Sequence, residues 1–156
     1  DAEMPNAPMS MKIFPRIWQT LRILQGTANL EAMRAAETIL EQDGILVIFP
    51  EGHVHTPPLT APLPGAAFMA LRLGVPILPI GTYSEDDWDL FGTITKKRRR
   101  ARVVTRIGEV FGPLAVGEAG KLPGREEVKA AGKIIMEKIA NQLPVSARGS
   151  YSPELS

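Results

Sequence analysis

Three short stretches of this chain carry residue types that can do chemistry. The first is Ile45-Leu46-Val47-Ile48-Phe49-Pro50-Glu51-Gly52. Its uninterrupted apolar run, bounded by Gly44 and Pro50, is too short for a helix and predicts a strand covered on both faces, as in a parallel sheet. Glu51 is the first ionisable residue beyond that strand. Ligands of open α/β sheets bind past the carboxyl ends of the strands, so Glu51 stands where a carboxylate would meet one. Gly52 beside it lets a ligand approach the backbone closely. A carboxylate in a solvated turn fits the same pattern. The second stretch, His53-Val54-His55, follows directly. Alternate residues at a strand end point the same way, so the two imidazoles with Glu51 could hold a zinc ion with an open position, but two exposed loop histidines are the favoured reading. The third is the basic block Lys96, Lys97, Arg98, Arg99 and Arg100, with Arg102 just beyond. It reads as a solvated hairpin loop or as a patch attracted to anionic lipid head groups, at ~1 kcal/mol per basic residue near the surface. Stacking aromatics are not interleaved in it and no recognition-helix signature is present, so nucleic acid is not an expected partner.

The elements that must position these residues follow from periodicity and punctuation. Asn29 can cap a helix over 30–42, with Leu30, Met33, Ala36 and Leu40 on one stripe and Gly44 placed to end it. The strand over 45–49 leads into a polar, proline-broken loop, Glu51 to Pro64. A second helix spans 65–73 and stops at Gly74. The run 75–80 reads as a short or edge strand, because Pro76 and Pro79 cannot both sit in a fully paired one. Another strand is expected over 101–107, with Val103, Val104 and Ile107 supplying buried contacts. A Gly/Pro-rich connection leads to a last helix over 126–142 that carries Val128, Ala131, Ile135 and Ile139 at helical spacing and stops before Pro144. Helix, strand, loop, helix, strand is α/β rhythm, and the expectation is a single domain over 1–156 with a mostly parallel central sheet flanked by helices.

Composition adds bounds. With 156 residues and 44% hydrophobic content the chain can bury one core, and a net charge of +1 selects no partner. Absence of cysteine excludes disulfides, thiolate metal sites and a cysteine nucleophile, and is compatible with a reducing compartment. No apolar run approaches the ~18 residues of a membrane span. The start, at Asp1, has no basic segment leading into an apolar one.

Several of these segments together carry a family resemblance. Phe49-Pro50-Glu51-Gly52 is similar to the FPEG core of the lysophospholipid (1-acylglycerol-3-phosphate) acyltransferase family. Gly65-Ala66-Ala67 resembles the family's "pGaa.lA" segment, and Val75-Pro76-Ile77-Leu78-Pro79-Ile80 its fourth block. Arg106-Ile107-Gly108-Glu109 resembles the "iGep" strand end. Met136 to Leu143, then Pro144, Arg148, Gly149 and Tyr151, resemble the tail of many bacterial members. Leu24-Gln25-Gly26 with Asn29-Leu30-Glu31-Ala32-Met33 resembles the entry to the helix after the second block. The likeness runs in order over roughly 16–151.

What the resemblance implies is transfer of a fatty acyl group from acyl-CoA or acyl-carrier protein to a lysophospholipid hydroxyl at a membrane surface. It implies no metal or bound cofactor, and a peripheral place at the inner, cytoplasmic face of the membrane. Pro50, Glu51, Gly52 and His53 would bind the acceptor, Pro76 and Pro79 would shape the adjoining wall, and Lys96 to Arg100 would contact membrane or phosphate. The family's general base is the histidine of an HxxxxD motif. Neither His53 nor His55 has an aspartate five residues on, since Pro58 and Thr60 stand there, so the expectation is that the base lies upstream of Asp1 and that this chain alone is inactive. His53 and Val54 replace the family's Thr-Arg after FPEG, and Gln25 stands where a second-block arginine is usual. These departures favour an alternative, a catalytically inactive lipid-binding domain. A remoter alternative rests on Gly52-His53-Val54-His55, which resembles the D-x-H-x-H opening of metal-dependent hydrolases. That family needs further histidines and a chain of roughly 200 residues or more, and no histidine follows His55.

Overall fold

A computed structural model describes residues 30–52, 58–84, 102–114 and 122–152. Contacts divide the chain into two compact units, residues 1–46 and 47–156.

In the first unit, helix α1 spans Leu30–Glu41 and buries Ala36. It ends three residues before Gly44. The left-handed residue is Asp43, with φ 57°, and its N–H donates to the Leu40 carbonyl while that of Gly44 donates to the Ile39 carbonyl. This paired closure satisfies carbonyls that the helix leaves open. A Cβ on Gly44 would stand 2.6 Å from the Ile39 oxygen, so glycine is needed there for close approach.

The second unit is built on two helices. Helix α2 covers Pro64–Leu73, with proline at its start, where a missing N–H costs nothing, and Gly74 in the left-handed conformation after its end. Helix α3 covers Arg125–Ala140; Glu127 reaches back to accept from the Gly124 N–H at 2.6 Å. Ala67 and Leu71 of α2 form one core cluster with Val128, Ala131 and Ile135 of α3, joined by Phe68, Ile77, Phe111 and Leu114. Full burial of each larger side chain contributes about 1.5–3 kcal/mol before ordering costs.

The sheet among the described residues is antiparallel, and the expected parallel one is not shown there. Strands β1, Ile80–Ser84, and β2, Val103–Ile107, pair antiparallel, with Ile80 opposite Ile107 and Ser84 opposite Val103. A single bridge joins Ile77 to Phe111 before β1 begins. The ladder starts only after Pro79, because proline has no N–H to give it. On one face Gly81 and Tyr83 are buried. Tyr83 clusters with Leu143 and Ala147, with Leu59 and Val104 packed against them. On the other face Ile80, Val103 and Ile107 are exposed, so of the three apolar residues expected to bury in this segment only Val104 is even partly buried.

The expected two-faced strand at 45–49 is not formed. The segment carries no ladder among the described residues, and Ile45 is 89% exposed and Phe49 71%. Burial on both faces requires a paired strand with a layer packed on each face of its sheet, and here no described strand pairs with it.

Candidate functional site

The turn after the apolar segment is tightly specified. The Gly52 N–H donates to the Phe49 carbonyl at 3.0 Å, and Gly52 has φ 73°. A Cβ at this position would lie 2.2 Å from Leu63 Cδ1, so glycine answers both a backbone conformation and a close contact. The Leu63 N–H donates to the Pro50 carbonyl at 2.8 Å, which closes the base of the loop between Glu51 and Pro62 and sets the start of α2 beside the turn.

Across that loop, Oε1 of half-buried Glu51 accepts from Thr60 twice: from its backbone N–H and, at 2.9 Å, from its hydroxyl. A carboxylate oxygen with two donors in a fixed fork has a defined orientation rather than a solvated one. Pro58 and Leu59 are held from behind. The Leu59 N–H donates to the Ala147 carbonyl at 3.0 Å, and a Cβ on Gly149 would come within 2.6 Å of the Leu59 carbonyl oxygen. Arg148 Nε donates to the Leu143 carbonyl at 2.9 Å and fixes the strap that carries these contacts to the end of α3. That strap consists of two short 3₁₀ turns, Val145–Ala147 and Gly149–Tyr151. Its last residue, Tyr151, has its phenol pushed above its ordinary range, first by burial and then by the negative charges of Glu51 and Glu137.

Of the residues singled out from the sequence, Pro50, Glu51 and Gly52 form this turn. Pro79 is buried at the entry to β1, where its carbonyl accepts from the Gly108 N–H at 2.9 Å; Pro76 is exposed beside Gly112. Their contacts are thus with the return from β2 rather than with the turn itself. His53, His55, Gln25 and Lys96 to Arg100 lie outside the described residues. Among the described residues no group of three or more His, Cys, Asp or Glu is placed to hold a metal ion. Thr60 and Tyr151 were not assigned to the site by sequence reasoning. Tyr151 was visible only as one letter of the C-terminal resemblance, and Thr60 only as a hydroxyl in a proline-rich loop.

Residues 16–83 match the family model described as Acyltransferase. The match takes in α1, the Pro50–Gly52 turn, α2 and most of β1, and it supports an acyltransferase activity. No curated protein and no solved structure matches the chain.

Proposed function

We propose that this chain is the acceptor-binding part of an O-acyltransferase that moves a fatty acyl group from a thioester, acyl-CoA or acyl-carrier protein, to the hydroxyl of a lysophospholipid resembling lysophosphatidic acid. The observation that carries the reading is the Glu51 turn, lying inside the matched span with its carboxylate oriented by Thr60 and its backbone opened by Gly52. Such a turn can bind a polar head group through hydrogen bonds whose geometry is set before the ligand arrives, which lowers the cost of ordering on binding.

In the reaction the acceptor oxygen forms a bond to the thioester carbon, the C–S bond breaks, and the thiol leaves with the proton from the acceptor hydroxyl. Removing that proton needs a general base near neutral pH, typically worth 10²–10⁴-fold. Glu51 is a poor candidate, as its Oε1 is already committed to two donors of Thr60. The reading therefore gives Glu51 a positioning task and assigns proton removal to a histidine supplied from outside these 156 residues. The chain alone then binds acceptor without turning it over. His53 and Val54, in place of the family's Thr-Arg, leave any acceptor phosphate to other cations, of which the Lys96–Arg100 block is the largest group. The same block suits a peripheral place on anionic membrane, since no helix among the described residues is long and apolar enough to cross one.

The test is acyl transfer by the native polypeptide that contains this chain, with labelled acyl-CoA and acyl-carrier protein as donors and lysophosphatidic acid as acceptor. Formation of diacylated phospholipid is expected. Acceptor binding with no transfer from either donor would instead favour the lipid-binding alternative.

A further inference from the structure

We infer that the C-terminal strap, Pro144 to Tyr151, is a positioning element for the acceptor-side turn: Ala147 and Gly149 hold Pro58 and Leu59, and Thr60, next along the loop, holds the Glu51 carboxylate. The consequence for substrate rests on the acyltransferase reading above; the mechanical coupling does not.

The chain of contacts is continuous. Buried Ala147 accepts from the Leu59 N–H, and Leu59 packs against the Tyr83, Leu143 and Ala147 cluster. Gly149, at φ 58°, lies so close to Leu59 that a Cβ would meet its carbonyl oxygen at 2.6 Å and Pro58 Cβ at 3.2 Å. The next residue along the loop is Thr60, which donates twice to Glu51. A shift of the strap by a few tenths of an ångström therefore moves the loop backbone, and with it both donors that aim the carboxylate. Packed segments transmit such displacements because they have little free volume to absorb them. Tyr151 sits at the end of the strap within electrostatic reach of Glu51 and Glu137, and its phenol stays neutral at physiological pH.

The strap and the turn are separated by almost the whole second unit in sequence, and a purely structural tail would need neither the glycine contact nor the Leu59 hydrogen bond to fall on the residue before Thr60. Positioning makes a sharper claim than stability: the strap acts on acceptor and not on donor.

The experiment uses three variants of the native polypeptide. Gly149→Ala is expected to raise the KM for lysophosphatidic acid about tenfold, the scale of a sub-ångström misplacement, with the donor KM unchanged. It is also expected to speed exchange of the Thr60 amide about tenfold by weakening local closure. Arg148→Met, which keeps much of the side-chain stem but removes the hydrogen bond that ties the strap to the Leu143 carbonyl, is expected to raise the acceptor KM by a smaller factor. Val128→Ala, in the α2–α3 core cluster that no strap residue joins, is the stability control and should lower the melting temperature while leaving the acceptor KM alone. Equal shifts in donor and acceptor KM, or an unchanged acceptor KM in both strap variants, would overturn the inference. If the wild-type polypeptide transfers no acyl group, the acyltransferase reading fails separately. The strap is then judged on exchange alone: faster Thr60 exchange in Gly149→Ala sustains the coupling, and unchanged exchange refutes it.

Discussion

Glu51 Oε1 accepts both the backbone N–H and the hydroxyl of Thr60, nine residues further along the chain. This fork distinguishes the Glu51 turn from an ordinary solvated loop. It joins two sides of the loop whose base is closed by the Pro50–Leu63 hydrogen bond. The carboxylate is therefore part of the loop's architecture as well as a group that a ligand can meet.

Gly52→Ala tests how tightly the turn is specified. The residue has φ 73°, and a methyl group there would lie 2.2 Å from Leu63 Cδ1, the end of a half-exposed side chain that can swing aside. The backbone term remains after that adjustment, so a loss of about 1–2 kcal/mol in denaturant unfolding is expected. Wild-type stability in this variant would show that the turn relaxes freely.

A pair of glycine substitutions separates packing from helix propensity. Gly81→Ala puts a methyl 2.7 Å from Gln142 Cβ and 3.1 Å from its carbonyl carbon, where β1 meets the residues that follow α3. A loss of about 1–3 kcal/mol is expected from that overpacking. Gly65→Ala, in the first turn of α2 with nothing within 4 Å, should be neutral or stabilise by about 0.5 kcal/mol. Urea unfolding of the two variants should therefore give shifts of different size, and of opposite sign if Gly65→Ala stabilises; equal losses would contradict the packing at Gly81.

Tyr151 makes a prediction in pH. Its folded phenol titrates above the ordinary value of 10.0, owing to burial, then Glu51, then Glu137. The unfolded chain gives up the proton first. The stability contributed by the neutral phenol is fully present below pH 10 and is lost as pH rises through the folded value. Glu51→Gln removes one of the negative charges and should bring the titration down toward the ordinary range. The chain has two tyrosines, so tyrosine Cζ NMR with Tyr151→Phe as the assignment standard reads it directly. An unmoved titration in Glu51→Gln would separate the two residues electrostatically.

The basic block predicts a membrane effect. Changing Lys97, Arg98, Arg99 and Arg100 together to glutamine removes four charges, each worth ~1 kcal/mol near an anionic surface. Sedimentation with phosphatidylserine-containing vesicles should fall steeply, and should already be weak for the wild type at high salt. Equal sedimentation of both proteins would return the block to a solvated loop.

The helices were legible in the sequence because their signals are local. Stripes at helical spacing, Pro64 at the start of α2 and Gly74 at its end place their own boundaries, and β2 lies within the expected 101–107 segment. The sheet was not, because pairing is non-local. Val75 to Ile80 carries the apolar run, yet its prolines push the ladder onto Gly81, Thr82, Tyr83 and Ser84, which look less strand-like alone. The 45–49 run shows the converse: five apolar residues in a row announce a buried strand, but burial depends on partners that the run does not encode. At the site, Glu51 and Gly52 could be named from the turn pattern and the resemblance. Thr60 and Tyr151 could not be assigned to it, since their tie to Glu51 exists only once the loop is closed and the strap has returned.

The most direct measurement of the central claim is acyl transfer from acyl-CoA or acyl-carrier protein to lysophosphatidic acid by the native polypeptide, wild type against Glu51→Gln. Transfer by the wild type is predicted, with kcat/KM for the acceptor reduced about 10–100-fold in the variant through lost positioning. Failure of the wild type to transfer with either donor, or a Glu51→Gln variant as active as the wild type, would contradict the account.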